Sequence, residues 1–251
     1  MEQKSEVIYG KNPVTELLKS KSGVDTVFIS ESLNPSVQNY YTALAKECGA
    51  VVKKVHPLKL KTLCQSDNHQ GIAAYASTVE YVSIEHILNC AKEKGESPFV
   101  VLCDGIEDPH NLGAIIRSAY LMGAHGIIIP RRGGVSVTGT VHKTSAGASM
   151  HLPVAKVANI AQAVRVLKEN NVFLYCADLN AQPLYKQNLT GAIGLVVGSE
   201  GKGVQSLVKS LCDDVVSIPM HNGASAVDSY NASVAAGIIM YEISRQRTLS
   251  K

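Results

Sequence analysis

Three short segments of this chain combine reactive residue types with glycines that let a backbone approach a ligand closely. They are Asn111-Leu-Gly-Ala-Ile-Ile-Arg117-Ser118-Ala119, then Gly198-Ser-Glu200-Gly201-Lys-Gly203, then Ile218-Pro219-Met220 leading to Ser229-Tyr230-Asn231-Ala-Ser233. Arg117 carries a planar guanidinium that stays protonated, so it suits a phosphate clamp or a charge that stabilises a developing oxyanion. Glu200 lies between Gly198 and Gly201, where glycines permit a sharp turn. Ile218-Pro219-Met220 sets apolar side chains beside free backbone groups, which suits a flat ring such as adenine. The pattern Gly-x-Glu-Gly-x-Gly is not the dinucleotide fingerprint Gly-x-Gly-x-x-Gly, so a nicotinamide cofactor is not indicated. Asn111 and Ser229 read both as helix caps and as polar site residues. His110 reads as a loop histidine or, beside Asn111, as a proton acceptor.

Each segment follows an apolar, strand-like run, and that places all three at one edge of a sheet, where open α/β sheets bind ligands. From residue 98 onward strands and helices alternate. Strands are expected at 99–103, 126–129, 152–155, 172–177, 193–197 and 215–218, and helices at 112–122, 141–149, 160–169, 204–211 and 231–246. Near-continuous Val, Ile and Leu in these strands imply a sheet buried on both faces, as in parallel α/β domains. The first part reads as a separate small α/β unit. Its expected helices are 13–19, with Asn12 as cap and Pro13 at the first helical position, then 37–48, closed by Gly49, and 58–64. Its expected strands are 24–30, 50–55 and 71–79. A helical stretch at 84–94 lies in the connection between the two parts. The domain reading is 1–79, a connection at 80–97, and 98–251.

Composition sets limits on function. The chain has 251 residues, 45% of them hydrophobic, enough for a substantial core. It has no Trp and only 3 Phe, so that core is mostly aliphatic. The formal net charge of +3 does not by itself announce a nucleic-acid binder, so local clusters must carry that case. No apolar run approaches the roughly 20 residues that span a bilayer, and the first residues lack the apolar stretch of a signal peptide, so no membrane partner and a cytoplasmic location are expected. The 6 Cys are scattered without a Cys-x-x-Cys pair, so neither a metal site nor a disulfide framework is expected.

The three segments resemble, in order, the three motifs of the SpoU–TrmH (SPOUT) family of RNA ribose 2′-O-methyltransferases. The likeness covers most of residues 98–245. Gly10-Lys-Asn-Pro-Val-Thr-Glu-Leu-Leu and His69-Gln70-Gly71-Ile72 also resemble the small L30e/L7Ae-like RNA-binding domain that precedes the catalytic domain in the large-subunit ribosomal RNA guanosine branch. The resemblance implies a trefoil-knotted parallel-sheet catalytic domain, a homodimer, S-adenosylmethionine as cofactor and RNA as substrate. Arg117, Asn111, Glu200, Ser229 and Asn231 become the catalytic set, with Glu200 most simply orienting Arg117. Gly198, Gly203, Ile218, Met220 and Tyr230 become cofactor contacts. Two features depart from the family: Tyr230 stands where Leu is usual, and the stretch from His221 to Asp228 is about three residues longer than the family pattern. Periodicity alone implies an ordinary open sheet, because true knots are nearly absent from proteins.

Two basic clusters could track phosphates: Lys53 and Lys54 with His56, Lys59 and Lys61, and Arg131 and Arg132 with His142 and Lys143. A solvated face is an equal reading for the lysines. Arg131 and Arg132 follow a strand at the expected ligand edge and suit bidentate phosphate contact. The resemblance implies methyl transfer to a ribose 2′-hydroxyl, and the likeness of the first part implies a guanosine of large-subunit (23S) ribosomal RNA. Alternatives within the family are a transfer RNA enzyme or an antibiotic-resistance ribosomal RNA methyltransferase. An alternative outside it is a non-catalytic RNA-binding protein.

Overall fold

The computed structural model describes residues 7–19, 24–76, 79–221 and 229–249. The chain divides into two compact units, one running up to Glu80 with Val137–Thr140, the other formed by Tyr81–Ser136 and the residues from Val141 onward.

In the first unit the elements run β1 (Val7–Tyr9), α1 (Lys11–Lys19), β2 (Val24–Ser30), α2 (Pro35–Glu47), β3 (Val51–Val55), α3 (Pro57–Cys64) and β4 (Ile72–Ala76). They build a four-stranded sheet in the order β1-β4-β2-β3. Buried Val14, Leu18, Val27, Ile29, Tyr41 and Ile72 fill one core of this unit. The α1 helix starts earlier than its Pro13 signal. Lys11 N–H donates to Gln70 Oε1 at 2.9 Å, so a side chain 59 residues away serves the first helical amide and Asn12 is not the cap. The strand expected at 71–79 is seen at Ile72–Ala76, and residues 77–78 lie outside the described residues. β1 is too short to show a periodicity; it forms because Val7, Ile8 and Tyr9 pair antiparallel with β4.

The chain continues with β5 (Tyr81–Val82), α4 (Ile84–Glu93), β6 (Phe99–Asp104), α5 (Pro109–Leu121), β7 (Gly126–Pro130), α6 (Gly139–Thr144, whose first two residues are counted with the first unit), β8 (Val154–Val157), α7 (Ile160–Glu169), β9 (Phe173–Pro183), β10 (Ile193–Gly198), α8 (Ser206–Leu211), β11 (Asp214–Ser217) and α9 (Ala232–Leu249). Seven strands form one sheet in the order β11-β9-β10-β6-β7-β8-β5, and every neighbouring pair is parallel. β6 is buried along its whole length, and Ile127, Ile128, Leu195 and Val196 are fully buried, as helices on both faces require. Tyr81 and Val82 pair in register with Val154 and Ala155, so the sheet of this unit begins within the stretch read as a connection. The start of β6 is held by a buried histidine and an arginine. His125 Nδ1 accepts the Phe99 N–H at 3.0 Å, and Arg247 donates to the carbonyls of Ser97, Pro98 and Gly191.

Candidate active site

All three sequence segments lie at the carboxyl edge of the parallel sheet. β6 ends at Asp104, β10 at Gly198 and β11 at Ser217. β10 pairs β6 on one side and β9 on the other, so the loops after β6 and β10 are neighbours.

The loop after β6 leads into α5. Pro109 opens this helix and Asp108 caps it, Oδ1 accepting the His110 N–H at 2.9 Å. The cap is therefore three residues before Asn111, and Asn111 sits in the first turn with its side chain free for other partners. The helix starts earlier than the apolar periodicity suggests because Asp-Pro supplies both the acceptor and a preset φ.

The loop after β10 folds back on itself. Gly203 N–H donates to Ser199 O at 2.8 Å, and the two residues form an isolated antiparallel bridge. A Cβ on Gly198 would lie 2.1 Å from the Gly203 carbonyl carbon, so only glycine fits there. Gly203 has φ +64°, the left-handed region. Buried Asp104 locks the far end of this turn. Its Oδ2 accepts the Gln205 backbone N–H at 2.7 Å and its Oδ1 the Gln205 side-chain amide at 2.8 Å.

The loop before α9 supplies Asn231, which caps that helix. Its Oδ1 accepts from the Ser233 and Val234 N–H groups at 3.0 and 3.3 Å. The capping role that the sequence allows for Ser229 thus belongs to Asn231. Ser229 and Tyr230 line a cavity instead.

These three loops bring Asn111, Glu200 and Asn231 together. Asn111 Nδ2 donates to Glu200 Oε1 at 3.0 Å. Asn231 Nδ2 donates to Asn111 Oδ1 at 3.0 Å and also to Glu200 Oε1. The Ala232 N–H, at the start of α9, adds a further bond to Oε1 at 3.3 Å. One carboxylate oxygen therefore gathers three donors from two other segments. No hydrogen bond engages Oε2 among the described residues.

Two cavities adjoin this cluster. The larger, about 490 Å³, is lined by the 198–203 turn, by Ala177–Leu179 within β9, by Val216 and Ile218, and by Ser229, Tyr230, Ala232, Ala235 and Ile239. One wall is apolar and the other is the glycine-rich 198–203 turn. The smaller, about 310 Å³, is lined by Gly105–Asp108, Asn111, the 199–202 turn and Ala232. Glu200 lines both. Asp178, in the larger cavity, is paired with Lys209 at 2.7 Å, a bond that raises the Lys209 ammonium above its ordinary value.

Other sequence candidates stand apart. Arg117 is exposed on α5 and enters none of the ion pairs among the described residues. It lies about 240° further around the helix than Asn111, at roughly 100° per residue. Glu200 does not orient Arg117 within one chain: no hydrogen bond or ion pair among the described residues joins the two, and Glu200 Oε1 is held by two asparagines and an α9 amide. Met220 is half-buried and does not line the larger cavity, whereas Gly198, Gly203, Ile218 and Tyr230 do. The extended stretch at 222–228 lies outside the described residues. Arg131 and Arg132 are exposed at the end of β7. Their turn adjoins the smaller cavity, since Val135 N–H donates to Ile106 O at 2.8 Å. Lys143 is exposed in the last turn of α6, and Lys53 and Lys54 are exposed on β3, at the edge of the sheet in the first unit. His110 is exposed and lines neither cavity.

Among the described residues no group of three His, Cys, Asp or Glu is placed to hold a metal ion, and no helix is long and apolar enough to cross a membrane. Burial pushes the Cys103 thiol up to about 12, which makes it an inert core residue.

Comparison with known proteins defines the class. Residues 98–241 match the model of the SpoU rRNA Methylase family, and residues 7–82 match that of the RNA 2′-O ribose methyltransferase substrate-binding domain. The chain belongs to the SpoU rRNA methylase family. Among its relatives is YacO of Bacillus subtilis, named in the TrmH family of tRNA/rRNA methyltransferases, 40% identical over 249 residues and covering 98% of each chain. A TrmH family tRNA/rRNA methyltransferase of Staphylococcus saprophyticus is 37% identical over 242 residues, 96% of each chain. Among solved structures, the SpoU methyltransferase AviRb of Streptomyces viridochromogenes, in complex with the cofactor AdoMet, superposes with a TM-score of 0.61. It is 24% identical, over 98% of this chain and 91% of that one. A structure of an RNA 2′-O ribose methyltransferase gives 0.55 at 27% identity, over 96% and 88%.

Proposed function

We propose that this protein transfers a methyl group from S-adenosylmethionine to a ribose 2′-hydroxyl of RNA, in a guanosine of large-subunit ribosomal RNA. Family membership supports the reaction class. The observation that carries the reading is the Asn111–Glu200–Asn231 cluster, whose carboxylate lines two adjoining cavities, one for each substrate of a group transfer.

The larger cavity fits the cofactor on its own chemistry. Its glycine turn is so tight that a Cβ on Gly198 would collide with Gly203, and it lines the cavity with little side-chain bulk. Ile218, Val216 and Ile239 offer an apolar slot of the kind an adenine ring occupies. Gly198, Gly203, Ile218 and Tyr230 would hold it. When bound, the sulfonium supplies an activated methyl group.

The residues of the chain do the rest. Asn111 and Asn231 fix the Glu200 side chain, so its position costs no reorganisation during reaction. Glu200 Oε2, with no hydrogen bond of its own, receives the hydroxyl proton. Arg117 stays protonated, so it acts on charge: it holds the phosphate beside the reacting ribose or stabilises the developing alkoxide. Ser229 completes the polar rim. Most of the acceleration comes from holding two reactants in line.

The same reading assigns RNA binding to residues 1–79, with Lys53 and Lys54, through an L30e/L7Ae-like fold. It assigns the catalytic role to 98–251, with Arg131, Arg132 and Lys143 on the RNA path and 80–97 joining the two. A trefoil knot, a homodimer and a cytoplasmic site of action complete the proposal. Titration calorimetry tests the cofactor part: S-adenosylmethionine and its demethylated product bind and NAD does not. NAD binding without S-adenosylmethionine binding overturns it.

A further inference from the structure

Lys202 lines both cavities, and among the described residues it is the only cation that lines either. It is exposed and enters no ion pair with a described residue. Its surroundings are acidic. Glu107, Asp108 and Glu200 line the smaller cavity, while Asp178 and Glu200 line the larger. Asp178 is already neutralised by Lys209, and Asp108 is engaged as a helix cap.

The two reactants meet this wall with opposite signs. S-adenosylmethionine carries a sulfonium, an ammonium and a carboxylate, a net cation that acidic walls attract. RNA brings a phosphodiester on either side of each ribose. Three carboxylates around the smaller cavity repel it unless a positive charge intervenes. Arg117 does not line that cavity within its own chain. From this juxtaposition we infer that Lys202 is the phosphate-positioning residue that a chain contributes to its own RNA site. Its ammonium neutralises the phosphodiester beside the target ribose while Glu200, two residues earlier, serves the hydroxyl. The flexible lysine stem suits a point contact with a phosphate oxygen, reached from the tip of a turn.

This inference rests on the proposed methyl transfer, and the test separates the two. The full chain is assayed with radiolabelled S-adenosylmethionine and an unmodified transcript of large-subunit ribosomal RNA, as wild type and as K202M, K202R and K202E. Calorimetry follows S-adenosylmethionine and its demethylated product. K202M should raise KM for the RNA about tenfold and leave kcat within about twofold. It should reduce the slope of log affinity against log salt by about 0.7 to 0.9, one phosphate contact. Affinity for the cationic cofactor should stay the same or tighten, and affinity for the uncharged-sulfur product should not move. K202R should restore KM largely, and K202E should be worse than K202M. An unchanged KM and salt slope in K202M overturns the inference. So does a loss confined to both cofactor affinities, which would make Lys202 a clamp on the cofactor carboxylate. If the wild type neither binds the cofactor nor methylates, the functional reading fails and this inference falls with it.

Discussion

Asn231 donates its side-chain amide to Asn111 Oδ1 at 3.0 Å, joining residues 120 positions apart in the chain. Both amides also reach Glu200 Oε1, so the first, second and third loops of the carboxyl edge close around one carboxylate. Such a network behaves as a unit, because each member orients the other two.

Its members should therefore be non-additive. Glu200→Ala should lower kcat by on the order of a hundredfold or more, as when a preorganised polar group is removed. Asn231→Ala should lower it as well and also cost about 1 kcal/mol of stability as a lost helix cap. The double variant should fall well short of the sum. Single-turnover rates and thermal melts of the three proteins check this; full additivity would show that the hydrogen bonds do not couple function.

Arg117 should act on rate and not on cofactor binding. It lies outside both cavities of its chain, so Arg117→Ala should leave the affinity for S-adenosylmethionine within about twofold. It should lower kcat by on the order of a hundredfold. Arg117→Lys should recover little, since an ammonium does not reproduce the planar fork. Calorimetry and initial rates on the same preparations decide the matter. A defect that is wholly one of cofactor affinity contradicts the assignment.

Gly198→Ala tests the turn that walls the larger cavity. The added Cβ meets backbone at 2.1 Å, which no side-chain rotation relieves. The variant should lose roughly 1 to 3 kcal/mol of stability, as overpacked positions do. It should bind the demethylated cofactor at least tenfold more weakly. Melting temperature by circular dichroism and a binding isotherm give both numbers; wild-type binding would mean this turn does not touch the cofactor.

His125 should make stability depend on pH. Burial, with Lys94 nearby, pushes its imidazole below the ordinary value, against the pull of Glu96, whose Oε2 lies 3.3 Å from Nε2. Nδ1 accepts the Phe99 N–H, so the folded protein holds the neutral ring. The unfolded chain then binds the proton more readily. This contribution to stability is complete above the unfolded value of about 6.5 and is lost as pH falls through and below it. Melting temperatures from pH 8 to 5 should fall more steeply for the wild type than for His125→Asn, whose carbonyl can replace the Nδ1 acceptor. Parallel curves would contradict this.

Much of this site was legible because its residues follow strands with a strong apolar signal. β6, β7 and β10 were expected within a residue or so of their observed bounds, and the three segments that follow strands do meet. Helix caps were the weaker part. Asp108 and Asn231 cap where the sequence offers Asn111 and Ser229 as candidates, because each helix start has more than one polar side chain within three residues. β1 and β5 are three and two residues long, and pairing makes them strands, not any local pattern. The Asp104–Gln205 lock spans 101 residues and leaves no trace in spacing. Lys202 was hidden among glycines, since what distinguishes it is the acidity of walls contributed by distant segments. The pairing of Arg117 with Glu200 is implied by the resemblance, and within one chain Arg117 lies on a different part of α5 from Asn111 and lines neither cavity.

The most direct test of the account is a ribose-methylation map of ribosomal and transfer RNA from cells with and without this protein. The map is repeated after supplying the wild type or Glu200→Ala. A 2′-O-methyl group on a large-subunit ribosomal RNA guanosine should disappear without the protein, return with the wild type, and stay absent with Glu200→Ala. An unchanged map, a lost mark on a base rather than a ribose, or full restoration by Glu200→Ala would contradict it.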